Sequence, residues 1–193
     1  MLIGCQFSLY PMTGQFAEVI LGAIEGLHER KDLRVDTDDL STLLIGASQP
    51  LFEALETCFV KASARSNHLV LSATFSHGCP GEPDDPICQP AAPDEAAAKQ
   101  EVDITKIAPV GIDVAAQFSL YPLGVSSYME VIYREIEATK ASGVFGRGKN
   151  FCTRLDGDVR HVFAALQAAL ERAANDAGHV VITATISSHH HKR

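Results

Sequence analysis

The chain has 193 residues, 46% hydrophobic and 21% charged, which is the balance of an ordinary globular protein. Its formal net charge of −8 argues against nucleic acid, whose backbone selects Lys- and Arg-rich surfaces. No apolar run reaches the roughly 18 residues of a spanning helix, and Met1-Leu2-Ile3 leads into a strand without a signal-like head, so the expectation is a cytoplasmic protein without membrane insertion.

The first predicted element is a strand over 3–10, where Phe7 and Leu9 alternate with Gln6, Ser8 and Tyr10 until Pro11 stops it. A helix over 14–29 carries Phe16, Val19, Ile20, Ala23, Ile24 and Leu27 on one stripe. Two short strands, 34–38 and 41–47, follow around an Asp-rich turn. Pro50 suits the first turn of a second helix, ending near 64, and a clean alternation over 68–76 makes the last strand. Then the order returns. Gln6-Phe7-Ser8-Leu9-Tyr10-Pro11 reappears as Gln117-Phe118-Ser119-Leu120-Tyr121-Pro122, and Phe52, Leu55, His68 and Ala73-Thr74 recur as Phe163, Leu166, His179 and Ala184-Thr185. Every pair is offset by 111 positions, so the chain holds two copies of one unit. The second copy has strands near 114–121, 144–150, 151–156 and 179–187 and helices near 127–141 and 159–176, the first opening on a Ser127-x-x-Glu130 capping box.

The units span 1–76 and 112–188, with a Pro- and Ala-rich connector at 77–111, holding a short helical turn at 94–100, and a tail at 189–193. Each reads β-α-β-β-α-β, so the fold class is α+β: tandem ferredoxin-like repeats with antiparallel sheets and both helices of a unit on one sheet face. The other face needs a cover, and the expected one is an equivalent sheet, from the same chain or from the partner in a homodimer. Cysteines 5, 58, 79, 88 and 152 form no C-x-x-C pair; a bridge from Cys79 to Cys88 is conceivable, but free thiols are expected in a reducing cytosol.

The alternation also assigns chemistry. With Leu69, Leu71, Ala73 and Phe75 under the helices, Ser72, Thr74 and Ser76 project to the opposite face, as Thr183, Thr185 and Ser187 do in the second copy. Gln6, Ser8 and Tyr10 join them, next to Ser41 and Thr42; Gln117, Ser119, Tyr121, Cys152 and Thr153 are the second set. Such a band either satisfies itself at a sheet–sheet interface or receives a flat, nitrogen-rich ligand, in two related pockets or at one pseudo-twofold junction. Asp156, in the turn Asp156-Gly157-Asp158, is a turn or cap residue, or a carboxylate for an aminopyrimidine or thiazolium. His68 and His179 begin equivalent strands, and His189-His190-His191 could hold a metal only adventitiously. No nucleophile elbow, P-loop, Rossmann fingerprint or HExxH motif is present.

The segments Phe7-Ser8-Leu9-Tyr10-Pro11-Met12, Ser41-Thr42, Thr74-Phe75-Ser76 with Gly78-Cys79-Pro80-Gly81, Gln117 to Pro122 and Leu155-Asp156-Gly157-Asp158 resemble the YkoF-related family over nearly the whole chain. The resemblance implies a dimeric, non-enzymatic protein that binds thiamin or its hydroxymethylpyrimidine precursor and serves uptake or salvage. It implies no catalytic residue, metal or cofactor. Within the matching region, the strand-face band gives the candidate ligand-binding residues Ser8, Tyr10, Ser41, Thr42, Thr74, Ser119, Tyr121, Thr153, Asp156 and Thr185. Differences between the halves at Ser41/Cys152, Leu43/Arg154 and Ile45/Asp156 lead to an expectation of unequal affinities. Two alternatives stay open: a cofactor-free enzyme using His68 or His179, and an amino-acid-binding regulatory module like the ACT domains.

Overall fold

The computed structural model describes residues 1–78 and 103–188. The 94–100 turn, the Cys79–Cys88 pair and the tail histidines lie outside these residues. In the first repeat, β1 (Leu2–Pro11) leads to α1 (Phe16–Ile24), then β2 (Leu33–Thr37), β3 (Thr42–Ala47), α2 (Ser48–Ser63) and β4 (Leu69–His77). The second repeat holds β5 (Asp113–Leu123), α3 (Tyr128–Ala141), β6 (Phe145–Gly148), β7 (Thr153–Asp158), α4 (Val159–Ala173) and β8 (His179–Ser188). The fold is α+β, two ferredoxin-like repeats in tandem.

Local chemistry sets the ends. The first helix is shorter than its apolar stripe because Gly26 adopts φ +83°, turning the chain into a 3-10 turn at Leu27–Glu29. Gly143, at φ +82°, follows a C-cap residue still in helical geometry, Ser142, and ends α3 as a left-handed cap. The expected capping box at Ser127 does not form. Its backbone (φ −86°, ψ 23°) is not the extended geometry that aims a cap oxygen at the helix, and its side chain makes no cap bond. Asp158 does have that geometry, and its Oδ1 accepts from Arg160 N at 3.0 Å.

The described strands make one antiparallel sheet of eight in the order β2-β3-β1-β4-β8-β5-β7-β6. The repeats therefore join edge to edge through β4 and β8, and the chain's own second sheet does not lie over the first. Of the two covers expected, that one is overturned: each unit's outer strand satisfies its backbone groups on its twin. The pairing runs from Leu69 opposite Ser188 to His77 opposite Val180. Ala73 faces Ala184, its own counterpart, so a pseudo-twofold axis passes between them.

The helices cover one face, where Cys5, Phe7, Leu71, Phe75, Phe118, Ile182 and Ile186 are buried with the apolar sides of α2 and α4. Phe52 stacks on Phe75 at 4.7 Å, and Phe59 of α2 meets Phe163 of α4 at 6.1 Å, so the core is continuous across the junction. Buried Ser63 donates to Ser188 at 2.9 Å, and Arg160 Nε donates to Glu56 at 2.9 Å, both between repeats.

Candidate functional site on the open face of the sheet

Side chains of the other parity lie on the face without helices, as the alternation predicts: Gln6, Ser72, Thr74, Gln117 and Thr183 are exposed, and Ser8, Ser119 and Thr185 half-buried. Around the pseudo-twofold axis this face sinks into a depression of about 190 Å³. Ser72, Thr74, Thr183 and Thr185 line its floor with Gln117 and Ser119, and Cys152 lies beside them. Thr74, Ser119 and Thr185 are thus brought together. None of the four floor hydroxyls has a hydrogen-bond partner among the described residues.

The flanks are built twice. Ser8 donates to Leu40 O at 2.9 Å, and Ser119 donates to Phe151 O at 2.8 Å, the same bond 111 positions on. Asp38 N donates to Ser41 O at 3.0 Å, and Lys149 N to Cys152 O at 2.9 Å, so the two hairpin turns close alike. Gln6 Nε2 donates to Ser41 Oγ at 2.9 Å, whereas Gln117 Oε1 accepts from Lys149 Nζ at 2.8 Å and contacts Cys152 Sγ at 3.7 Å. The turn amides of Leu40 and Ser41 donate to Asp38 Oδ1 at 2.8 and 2.7 Å and hold its carboxyl below the usual aspartate range.

Tyr10 and Tyr121 stand half out of the surface near the ends of β1 and β5, and Leu40 and Phe151 project from the hairpin tips, Phe151 at 90% exposure. Asp156 lies on the open face but is gripped by Arg154, whose Nε and Nη2 reach its carboxylate at 2.9 and 2.6 Å. The placement of Thr42 and Thr153 is corrected. They pair with Phe7 and Phe118, and cross-strand partners share a face, so both point to the helix side. Both are buried, and Thr42 bonds to Thr37 Oγ1 at 3.1 Å.

His179 Nε2 is 3.2 Å from Ser76 Oγ, and neither His68 nor His179 lines the depression. Among the described residues no three metal-ligating side chains converge. No helix among them is long and apolar enough to cross a membrane. Sequence reasoning passes over Lys149, although its signal is present: the residue stands where the first copy has Asp38.

Comparison with known proteins agrees with this double construction. The chain matches the YKOF-related family over residues 2–82 and 113–190, one stretch for each repeat. It is also similar to a Bacillus subtilis (strain 168) protein named "Putative HMP/thiamine-binding protein YkoF", with 32% identity over 189 residues, covering 97% of this chain and 90% of the relative.

Proposed function

The chain belongs to the YKOF-related family, and from that premise we propose that it binds thiamin or its hydroxymethylpyrimidine moiety without chemical turnover, in the cytoplasm, for uptake or salvage. The observation that carries this reading is the floor of four hydroxyls, from β4 and β8, without partners among the described residues, in a sheet whose other open-face polar groups are largely paired. Hydroxyls both donate and accept, which suits the ring nitrogens and exocyclic amine of an aminopyrimidine. The depression is flanked by Gln117, Ser119 and Cys152 of the second repeat, while Gln6 and Ser8 border Thr74 and Ser72 on the other side of the floor. In this reading the first repeat holds a second pocket there, and Ser41 against Cys152 makes the two affinities unequal.

Sites that bury most of a small ligand usually hold about 300–1,000 Å³. A depression of about 190 Å³ takes one ring but does not enclose a bicyclic guest, so a second surface completes it. A second copy supplies that surface in this reading. Exposed Tyr10, Tyr121, Leu40 and Phe151, placed symmetrically about the pseudo-twofold axis, are the apolar contacts it would bury. Sedimentation of the full chain at micromolar concentration is expected to show a dimer; a monomer at every concentration removes this element.

Calorimetric titration tests the ligand. Thiamin or hydroxymethylpyrimidine should give saturable heat, and Thr74→Val and Thr185→Val should each weaken binding about tenfold, the cost of one hydrogen bond to a buried ligand group. Absence of heat with both ligands at millimolar concentration overturns the proposal.

A further inference from the structure

The two flanks differ at one position in a way that reverses their hydrogen-bonding polarity. Asp38 and Lys149 hold the same place in the two hairpin turns, as their backbone bonds to Ser41 and Cys152 show. A carboxylate only accepts and an ammonium only donates. With Asp38 Oδ1 3.4 Å from its hydroxyl, Ser41 directs its proton to the carboxylate. Ser41 Oγ therefore accepts from Gln6 Nε2, and the free end of the Gln6 amide is its carbonyl oxygen. In the second copy Lys149 must donate, so Gln117 turns Oε1 to it, and the free end of that amide is its NH₂. A single exchange of charge thus presents an acceptor to the ligand on one flank and a donor on the other.

The surrounding charges follow. Asp36, Asp38 and Asp39 in the first hairpin correspond to Arg147, Lys149 and Asn150 in the second, although Arg34 gives way to Phe145. Arg147 and Arg154 pair across β6 and β7 on the flank that carries Lys149. Asp156 is taken up by Arg154, and no carboxylate pairs with Lys149 among the described residues. Its ammonium gives one proton to Gln117 and keeps two for another partner.

We propose, resting on the binding reading above, that the two pockets sort one ligand family by charge. The second-repeat pocket takes the phosphate monoester, held by Lys149 Nζ and the Gln117 amide NH₂. The first-repeat pocket, with Asp38 and the Gln6 carbonyl, takes the unphosphorylated amine-bearing or cationic form. Lys149 is the specificity-determining residue of the pair. The shared chemistry is a phosphate monoester on a small heteroaromatic alcohol, whether it comes from the bare pyrimidine or from thiamin.

The test is the ratio of affinities for phosphorylated and unphosphorylated ligand, measured by calorimetry on the full chain. Hydroxymethylpyrimidine with its monophosphate is one arm, and thiamin with thiamin monophosphate is the other. In Lys149→Met the preference for the monophosphate should fall about tenfold, the usual worth of one charge-assisted hydrogen bond. In Lys149→Asp, which copies the first repeat, it should fall further. The preference of the unaltered protein should also shrink at high salt, because Lys149 is exposed and screened. A shift confined to one arm supports the proposal and identifies which ester the pocket takes. A ratio unchanged within twofold in both variants and both arms overturns it while leaving the binding reading intact. No heat with any unphosphorylated ligand overturns the binding reading, and this proposal with it.

Discussion

The two repeats share a backbone plan but solve the same packing positions with different chemistry. Ile24 of α1 is buried against the first half's core, and its counterpart Glu135 of α3 is a carboxyl with no exposure at all. Arg172 Nε donates to Glu135 Oε2 at 2.9 Å, and Arg134 reaches Oε1 at 3.4 Å. Burial pushes the Glu135 carboxyl above its ordinary range, and the two guanidiniums pull it only part of the way back. The helix starts differ too. Asp158 caps α4, and Ala47, with nearly the same backbone (φ −65°, ψ 148°), leaves α2 without a side-chain cap. Duplicated architecture therefore does not mean duplicated energetics: the first half relies on apolar contact where the second relies on charge.

Removing one side of the buried ion pair should break that contrast most strongly. Arg172→Met leaves Glu135 without its principal partner and should cost about 3 kcal/mol in urea unfolding. Glu135→Ile, which copies the first repeat, combined with Arg172→Met should recover most of that loss. A double variant no more stable than Arg172→Met alone would show that the pair is not a coupled substitute for Ile24. The pH dependence has a definite sign. A carboxyl whose folded-state pKa is raised favours the fold below its ordinary pKa and loses that contribution as pH rises through the folded value. Glu135 is thus a liability at neutral pH that Ile24 is not.

A smaller effect is expected at the caps. Asp158→Ala should cost about 1–2 kcal/mol, at the upper end for an N-cap, because its Oδ2 also accepts from Val110 and Gly111 at 3.0 and 2.7 Å. Burial alone would raise this carboxyl, but the amides of Gly111, Val110 and Arg160 outweigh it and hold the pKa below the aspartate range. The contribution is present above the unfolded-state pKa and disappears as pH falls through the lowered folded value. Unfolding curves from neutral pH into acid should therefore converge for Asp158→Ala and the unaltered chain. The smallest expected change is a gain: Ala47→Asp should stabilise by about 0.5–1 kcal/mol, having a helix to cap but no second pair of donors. No gain would mean that the two helix starts are less alike than their dihedral angles.

The open-face band was readable because Leu69 to Phe75 and Val180 to Ile186 alternate with period two, and the pleat gives each parity one side. Thr42 and Thr153 were not readable. They sit at the ends of short strands, where the register against Phe7 and Phe118 decides the face, and a one-residue slip would reverse it. Lys149 is not legible as a member of the band because what brings it there is a bond to Gln117, 32 positions away.

Residue order alone established the duplication, the element types and the buried parity of the central strands, because these depend on local periodicity and on a repeat visible at a fixed offset. Only the tertiary structure decided that the halves share one sheet. Strand edges pair through backbone N–H and C=O groups that nearly every residue carries, so no side-chain pattern announces which edges meet. That junction gathers Ser72, Thr74, Thr183 and Thr185 into one floor.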